Sequence, residues 1–511
     1  MSSTVAEPGT GRTYGGWRRP ASPGIGPLKL GPTLALLGGM AVLVLTAMTG
    51  GLLAAVVLAV LFGLTGVPAV LPWQGRPLYA AVARRWAWRR QVRSLRHVYR
   101  SGLAGVSPDG LRRLPGLLAA VATWRAVDAT GRDYALVQLP AARQWAVVLR
   151  VAAQAGALVD ADTRDSWVAG WGEYLAQLGA EGGVVQAAAV VETAPDAGAL
   201  LAAHVHGMLS DAAPAFARQV LTDAATELPT GVTETLGHVT LTFSERALGI
   251  ARTRDRHVTA TAVAEEVGRR LPGLCAGLKA TGTSAGEPLT VDGLASRVRE
   301  AYDPAAALGF AEASADGEPA VCAWADAGPA AAEESATAYR HDSGLSRSWE
   351  ALAVPPGVIR DGLLERLTGP AAAAPRKRVT LLYRPVDAGD TALVVDRDLR
   401  AAINREGRRQ GVAHAHDTAQ VRAARQAAAE EADGAGVVSF SLLVTVTVPA
   451  GQGDTEVLER ASSVVERAAR GARVRLSPVY GSQAAAFAGG LGVGLSLPDL
   501  ALLPAALRTH V

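Results

Sequence analysis

The chain has 511 residues, of which 49% are hydrophobic and 19% are charged, and its formal net charge at pH 7 is only +3. This length allows two or three domains, and so small a net charge excludes the general basic excess of a protein that coats nucleic acid. The cysteines Cys275 and Cys322 stand in apolar surroundings. They predict buried thiols in a reducing compartment rather than a disulfide framework.

Residues 1–30 are rich in Gly, Pro, Ser and Arg and predict a disordered, basic, cytoplasmic tail. Within this tail, Trp17 stands beside Arg18 and Arg19. An amphipathic ring next to positive charges is typical of the headgroup layer of a membrane. We therefore expect these three side chains to contact a membrane surface.

The segment 31–75 contains no charged residue, and paired glycines interrupt it at Gly50 and Gly51. A bilayer crossing needs roughly 20 apolar residues, so the segment predicts a two-helix transmembrane hairpin, with helices over Thr33–Met48 and Leu52–Leu71. Basic residues flank both ends, which predicts a multi-pass protein of the inner (plasma) membrane with both termini in the cytoplasm. The alternative is a long buried hairpin within a soluble protein.

The segment 76–101 predicts a basic juxtamembrane helix. Lipid headgroups, an acidic partner protein and the phosphates of nucleic acid would each attract such a helix. We favour contact with the lipid bilayer, and direct contact with nucleic acid is the least favoured of the three. The arginines expected at this surface are Arg76, Arg84, Arg85, Arg89, Arg90, Arg93 and Arg96.

Residues 102–303 predict a first α+β domain. Three short apolar segments separated by turn residues predict an antiparallel meander, over Leu117–Asp128, Tyr134–Leu139 and Gln144–Val151. The alternating sequence of Thr235–Ser244 predicts a strand with one solvent-facing side. The other elements expected here are a helix capped by Asp162 or Thr163, a strand at Val184–Thr193, and helices at Thr261–Leu278 and Val291–Tyr302.

Residues 304–345 are Ala-rich and acidic and predict a linker, and residues 346–511 predict a second α+β domain. Strands are expected at Arg376–Pro385 and Val437–Val448, with a helical stretch between them. Strand and helix units with antiparallel returns are typical of α+β folds. The predicted fold class is therefore α+β, with ferredoxin-like α/β sandwich domains following the hairpin.

The sequence offers no catalytic constellation, and we predict no catalytic, cofactor-binding or metal-binding residue. A phosphate-binding loop of the GxxxxGK[ST] type does not occur, and the glycine-rich run Gly489–Gly494 has no lysine; we interpret it as a flexible turn. The pairs His204/His206 and His414/His416 lie two residues apart, which places them on opposite sides of a helix. The tripeptide His341-Asp342-Ser343 contains triad residue types, but a triad requires convergence from separated positions.

The layout resembles a family of actinobacterial membrane proteins linked to conjugation and type IV secretion-like systems. In that family a PrgI-type two-helix hairpin is fused to a domain like the non-ATPase N-terminal region of the conjugation ATPase. The resemblance covers nearly the whole chain and depends on the order of several short motifs. These motifs are Tyr14-Gly-Gly-Trp17-Arg-Arg-Pro20, Gly75-Arg-Pro-Leu-Tyr79, Tyr99-Arg-Ser-Gly102, Glu192-Thr-Ala-Pro195, Ala301-Tyr-Asp-Pro304, Tyr339-Arg-His-Asp-Ser343, Arg378-Val-Thr-Leu-Leu-Tyr-Arg-Pro385 and Tyr480-Gly-Ser-Gln-Ala-Ala-Ala-Phe487.

The resemblance implies a scaffold subunit, not an enzyme, that docks a separate secretion or conjugation ATPase and forms homo-oligomers within a larger complex. It carries over no catalytic residue and no cofactor. Two alternatives remain open at this stage. One is a subunit like EccE of type VII secretion, and the other is a membrane-bound enzyme with an unrecognised site.

Overall fold

The computed structural model describes most of the chain, in sixteen segments. These are residues 14–15, 30–49, 51–70, 72–73, 76–105, 109–152, 159–196, 198–210, 212–227, 232–251, 255–315, 321–353, 358–359, 362–407, 415–432 and 436–500. The described residues form two compact units. One unit holds the large sheet and the helices packed on it, and the other holds three N-terminal helices and most of a helical pair from the region 392–430.

The strands are short at the N-terminus and long in the middle of the chain. In chain order they are β1 (Tyr14–Gly15), β2 (Pro72–Trp73), β3 (Arg76–Pro77), β4 (Val98–Arg100), β5 (Ala122–Val127), β6 (Asp133–Leu139), β7 (Gln144–Val151), β8 (Val184–Pro195), β9 (Thr233–Ser244), β10 (Glu287–Pro288), β11 (Ala331–Glu334), β12 (Tyr339–His341), β13 (Gly344–Ala353), β14 (Val358–Ile359), β15 (Arg376–Pro385), β16 (Val438–Pro449) and β17 (Arg475–Pro478).

The helices vary from one turn to six turns. In chain order they are α1 (Leu30–Thr49), α2 (Leu52–Val70), α3 (Leu78–Arg93), α4 (Ala161–Ala180), α5 (Ala199–Met208), α6 (Ala215–Glu227), α7 (Arg256–Gly277), α8 (Val291–Tyr302), α9 (Ala306–Ala315), α10 (Glu365–Thr368), α11 (Ala388–Gly407), α12 (Ala415–Ala432), α13 (Asp454–Gly471) and α14 (Gln483–Gly490).

The helices α1 and α2 form where the hairpin was expected, joined at Gly51, whose φ of 84° lies in the left-handed region. Among the described residues, however, no helix combines the length and the apolar character that a membrane crossing requires. The predicted transmembrane hairpin, and with it the plasma-membrane location, is therefore contradicted.

One antiparallel sheet of 13 strands replaces the predicted pair of ferredoxin-like domains. Its order is β4-β11-β12-β13-β16-β15-β8-β9-β7-β6-β5, with β10 added to β7 and β17 added to β13. The predicted domains meet where β8 pairs with β15 over seven residue pairs, from Ala187 opposite Tyr383 to Thr193 opposite Lys377. The segment 304–345, expected as a linker, instead supplies α9, β11 and β12. The prediction of two separate sandwich domains was wrong because this long-range pairing leaves no local signal in the sequence.

The two halves of the sheet repeat one topology. The order β5-β6-β7-β9-β8 with β10 on β7 matches β11-β12-β13-β16-β15 with β17 on β13. The intervening helices also correspond in chain order: α4 to α10, α5–α6 to α11–α12, α7 to α13, and α8 to α14. Since β8 and β15 are equivalent strands paired antiparallel, a local two-fold axis relates the halves. We call this β8–β15 junction the seam.

Matching ends of the two seam strands support an internal duplication. β8 ends at Pro195 and continues Asp-Ala-Gly, whereas β15 ends at Pro385 and continues Val-Asp-Ala-Gly. In both places the aspartate accepts a hydrogen bond of 2.9 Å from the glycine N–H two residues later, at Asp196 and at Asp387. Two chain segments that end alike and turn alike are expected if one unit was copied.

The two faces of the sheet differ in chemistry. One face is apolar and carries two cores, a first core in which Trp145, Leu241 and Phe243 pack against α4 and α7, and a second in which Trp349 and Val444 pack against α13. The opposite face carries rows of Ser and Thr side chains at alternate positions, which face the same way because side chains alternate along a strand. This polar face, covered by α8, α14 and the residues after α14, positions the candidate site.

Candidate functional site

The glycine-rich segment 490–495 lies on the polar face and accepts hydrogen bonds from the sheet. Carbonyls of alternate glycines accept from threonine hydroxyls on β15 and β9. The contacts are Thr380 Oγ1 to Gly490 O at 2.7 Å, Thr240 Oγ1 to Gly492 O at 2.5 Å and Thr242 Oγ1 to Gly494 O at 3.1 Å, with Gln186 Nε2 to Leu495 O at 3.1 Å. The expected flexible turn is thus an ordered cover, and the expected solvent-facing side of β9 is buried beneath it.

Glycine is required in this cover by conformation and by space. Gly492 and Gly494 have φ values of 68° and 92°, a region that other L-residues seldom adopt. A Cβ on Gly494 would lie 2.2 Å from the Cβ of Ala146, and one on Gly492 would lie 2.5 Å from a methyl group of Val190. The absence of side chains therefore lets the backbone approach closely enough to accept the threonine hydroxyls.

A cluster of buried charges lies on the polar face at the seam, and we call it the seam cluster. Its centre is Glu192 on β8, whose carboxylate accepts two hydrogen bonds of 2.9 Å from Nε and Nη2 of Arg378 on β15. Arg376 contacts the same carboxylate at 3.4 Å and donates to Glu300 on α8 at 2.7 Å. The full set is Glu192, His238, Arg297, Glu300, Arg376 and Arg378.

Burial and mutual charge shift the ionisation of this cluster. Burial would raise the pKa of Glu192, but Arg378 and Arg376 outweigh that effect and lower this pKa to about 2. Burial lowers the pKa of Arg297 to about 10, against the attraction of Glu192. Burial and then the charge of Arg297 lower the pKa of His238 well below its usual range. At neutral pH three guanidinium groups therefore face two carboxylates and a neutral imidazole.

The cluster has one more guanidinium than carboxylates, and Arg297 is the arginine without an ion pair among the described residues. Its Nη1 donates to the carbonyl of Leu491 at 2.8 Å. Its Nε and Nη2 are buried and have no hydrogen-bond partner among the described residues, and the same holds for Nη1 of Arg378 and Nδ1 of His238. The guanidinium of Arg378 also lies 5.6 Å from the ring centroid of Phe487. The seam cluster thus combines a buried positive charge with unused donors.

His341 is bonded within the fold rather than within the tripeptide that suggested a triad. Its Nδ1 lies 2.6 Å from the carbonyl of Tyr302, so this nitrogen carries the proton and Nε2 accepts from Ser346 Oγ at 2.7 Å. Ser346 is in turn 2.7 Å from Thr447 Oγ1. Burial lowers the pKa of His341 to about 4, and His341 and Ser346 have no exposed surface. A substrate cannot reach this histidine–serine pair in the folded protein, so we assign it a structural role.

Asp342 and Ser343 have other partners. Asp342 accepts from Arg299 at 2.9 Å and from the backbone N–H groups of Ala330 and Ala331, while Ser343 donates to Asp303. These contacts fix the turn between β12 and β13 against α8.

The residues predicted to contact a membrane surface are described only in part. Trp17, Arg18 and Arg19 lie outside the described residues, and Arg76 begins β3. The other predicted residues lie on α3, except Arg96, which follows it. On α3, Arg84 is half-buried and the guanidinium of Arg90 lies 5.9 Å from the ring of Trp86. The exposed residues are Arg85, Arg89, Arg90, Arg93 and Arg96. What this basic helix contacts stays a prediction.

Sequence reasoning missed the seam cluster entirely. Glu192 and Arg378 stood in two of the motifs quoted for the family resemblance, but nothing local shows that they pair. His238, Thr240 and Thr242 alternate with apolar residues within a strand, and that pattern indicated a solvent-exposed face. The available signal was the glycine spacing at 490, 492 and 494, which has the same period of two as the strand.

A known domain family matches the N-terminal part of the chain. A domain of unknown function, DUF8461, matches residues 21–80. This match covers α1, α2 and the start of α3, and leaves the large sheet and the seam cluster outside it. The search of curated proteins finds no match.

Proposed function

We propose that this chain is a structural scaffold subunit of a conjugation or type IV secretion-like machine. In this role it docks a separate motor ATPase and neighbouring copies of itself. The observation that carries the proposal is the apolar surface of α1 and α2. Exposed side chains there include Leu45 at 62%, Met48 at 80% and Leu53 at 83% exposure.

Exposed apolar side chains are normal when single, whereas a contiguous apolar patch marks an interaction surface. On α1 and α2 such side chains occur on most turns of both helices. They are Leu34, Leu37, Met40, Val42, Val44, Leu45 and Met48 on α1, and Leu53, Val56, Val57, Val60, Leu61 and Leu64 on α2. A helical pair with this surface is suited to packing against the helices of a partner protein.

The chemistry of the described charged residues also favours a scaffold over an enzyme. Several buried ionisable groups of the sheet are held in ion pairs or in hydrogen bonds to the backbone, as for Glu192 with Arg378 and His341 with Tyr302. The duplicated sheet is a rigid platform because both halves share one continuous hydrogen-bonded ladder. The family resemblance of the motif order supplies the type of machine.

Affinity purification with identification of the recovered proteins tests this function. The wild-type chain should recover a secretion or conjugation ATPase. Leu45→Glu with Leu53→Glu should lose that partner, because each change places a charge within the proposed interface. The matched control is Phe216→Glu on α6, where the native side chain is 79% exposed, and it should recover the partner at the wild-type level.

Three outcomes would each contradict a part of this proposal. Recovery of no secretion component by the wild-type chain would remove its basis. Recovery of type VII secretion core proteins instead would assign the chain to the alternative machine. Equal recovery by the double variant and the control would show that α1 and α2 are not the docking surface.

A further inference from the structure

The buried guanidinium of Arg297 has two donors aligned for one ligand. Nε and Nη2 lie on the same edge of a guanidinium, and their N–H bonds point in parallel. This edge is the one that binds both oxygens of a carboxylate or two oxygens of a phosphate. Both atoms are buried and lack a partner among the described residues.

In Arg378, the corresponding edge of the guanidinium is already bound to a carboxylate. Its Nε and Nη2 each donate at 2.9 Å to the two oxygens of Glu192. The two arginines therefore differ in one respect, because a carboxylate fills the edge of Arg378 and no described protein group fills that of Arg297.

The charges around Arg297 also indicate that an anion is missing beside it. Arg376 and Arg378 are balanced by Glu192 and Glu300, whereas the hydrogen bond that Arg297 makes goes to the neutral carbonyl of Leu491. Glu192 and Glu300 attract Arg297, but both already pair with the other two arginines, and a buried charge that is not fully compensated is destabilising. The neighbouring His238, at 5% exposure, cannot supply the missing charge because it is neutral or positive in either protonation state.

We propose that the edge of Arg297 formed by Nε and Nη2 is a binding site for a small oxyanion, such as inorganic phosphate or a free carboxylate. The ligand would lie at the seam, between α8 and the strands β9 and β15. It would complete the charge balance and join the two halves of the sheet to α8. This inference does not depend on the proposed docking function.

Thermal unfolding of the full chain, at constant ionic strength, tests the site. Inorganic phosphate is the first probe, acetate the second, and chloride the monatomic control. We expect the Tm to rise by about 3 °C when phosphate exceeds its Kd by about 100-fold, because a ligand that binds only the folded state stabilises it by mass action. A larger rise with acetate than with phosphate would identify a carboxylate as the preferred ligand.

Substitutions separate binding at Arg297 from general ion effects. Arg297→Lys keeps the charge but lacks the paired donors, and it should lose the phosphate response. Arg297→Met should lose the response and also raise the Tm in phosphate-free buffer, since it removes an uncompensated buried charge. The control Arg125→Met loses one charge from an exposed ion pair with Asp292 and should respond to phosphate as the wild type does.

The proposal fails if the wild-type Tm does not respond to either oxyanion. It also fails if chloride gives the same rise as phosphate, or if Arg297→Lys responds as the wild type does, because the effect would then not come from the paired donors. Isothermal titration with phosphate should give one site per chain, and a heat signal that saturates at several equivalents would equally refute it.

Discussion

Replacing Glu192 with glutamine tests the seam cluster most sharply, because the change is nearly isosteric and removes only the charge. Glu192 is 4% exposed, and it pairs with two arginines, Arg376 and Arg378. The fall of its pKa from the usual 4.5 to about 2 corresponds to roughly 3 kcal/mol, at 1.36 kcal/mol for each pH unit. This agrees with the roughly 3–5 kcal/mol lost when one partner of a buried ion pair is removed.

The lowered pKa of Glu192 also determines how the stability of the protein depends on pH. The pKa of Glu192 is lower in the folded protein than in the unfolded chain, so the unfolded chain binds more protons between these two values. The stabilisation is therefore fully present above pH 4.5 and is lost as the pH falls toward 2. The difference in unfolding free energy between the wild type and Glu192→Gln should be largest at pH 7 and should shrink below pH 4.5.

Urea unfolding followed by tryptophan fluorescence measures this difference, since Trp145 and Trp349 are fully buried in the two cores of the sheet. The control is Glu287→Gln, which removes a carboxylate from an exposed pair with Arg150 and should cost less than about 1 kcal/mol. Equal stability of Glu192→Gln and the wild type, or a loss that does not change with pH, would refute the account of the seam cluster.

Two further predictions concern the cover and the apolar face. Gly494→Ala should destabilise the sheet by about 1–3 kcal/mol in urea unfolding, because of its positive φ and the clash with Ala146, whereas Gly451→Ala, in open space, should change little. Lys377 is buried with Nζ 2.5 Å from the carbonyl of Gly369, and burial lowers its pKa to about 8. Wild-type stability should therefore rise relative to Lys377→Met as the pH increases from 8 toward 10.5, and a flat difference across that range would contradict the shift.

The sequence predicted individual elements well where a local pattern defines them. The predicted strands at Gln144–Val151 and Arg376–Pro385 and the predicted helix at Val291–Tyr302 coincide with β7, β15 and α8. In each case the spacing of apolar residues, or a proline, marks where the strand or helix ends. The helix cap expected at Asp162 or Thr163 is instead Asp160, which accepts from the N–H of Thr163 at 2.8 Å.

What the sequence could not supply is the pairing of distant segments. β8 and β15 are separated by 180 residues, and each has an apolar side that fits a small sandwich equally well. The seam places Glu192 beside Arg378 and thus creates the cluster, so missing the seam meant missing the site. The repeated Asp-Ala-Gly after Pro195 and near Pro385 was a usable signal of duplication that a comparison of the chain with itself would have found.

The membrane prediction went wrong for a different physical reason. Segment 31–75 is uncharged, and the sequence argument counted all of it as two crossings. The helices α1 and α2 contain glycine, threonine and proline, and among the described residues no helix meets the length and apolar requirement together. Apolar composition predicted the two helices, but it did not predict what their apolar side chains contact.

The most direct test of the scaffold function is site-specific photo-crosslinking in cells. A photoreactive residue would replace Leu53 on α2, and a matched one would replace Phe216 on α6, since the two native side chains are similarly exposed at 83% and 79%. The account predicts a crosslink from position 53 to the motor ATPase or to a second copy of this chain, and none from position 216. Crosslinks of equal yield from both positions, or none from position 53, would contradict it.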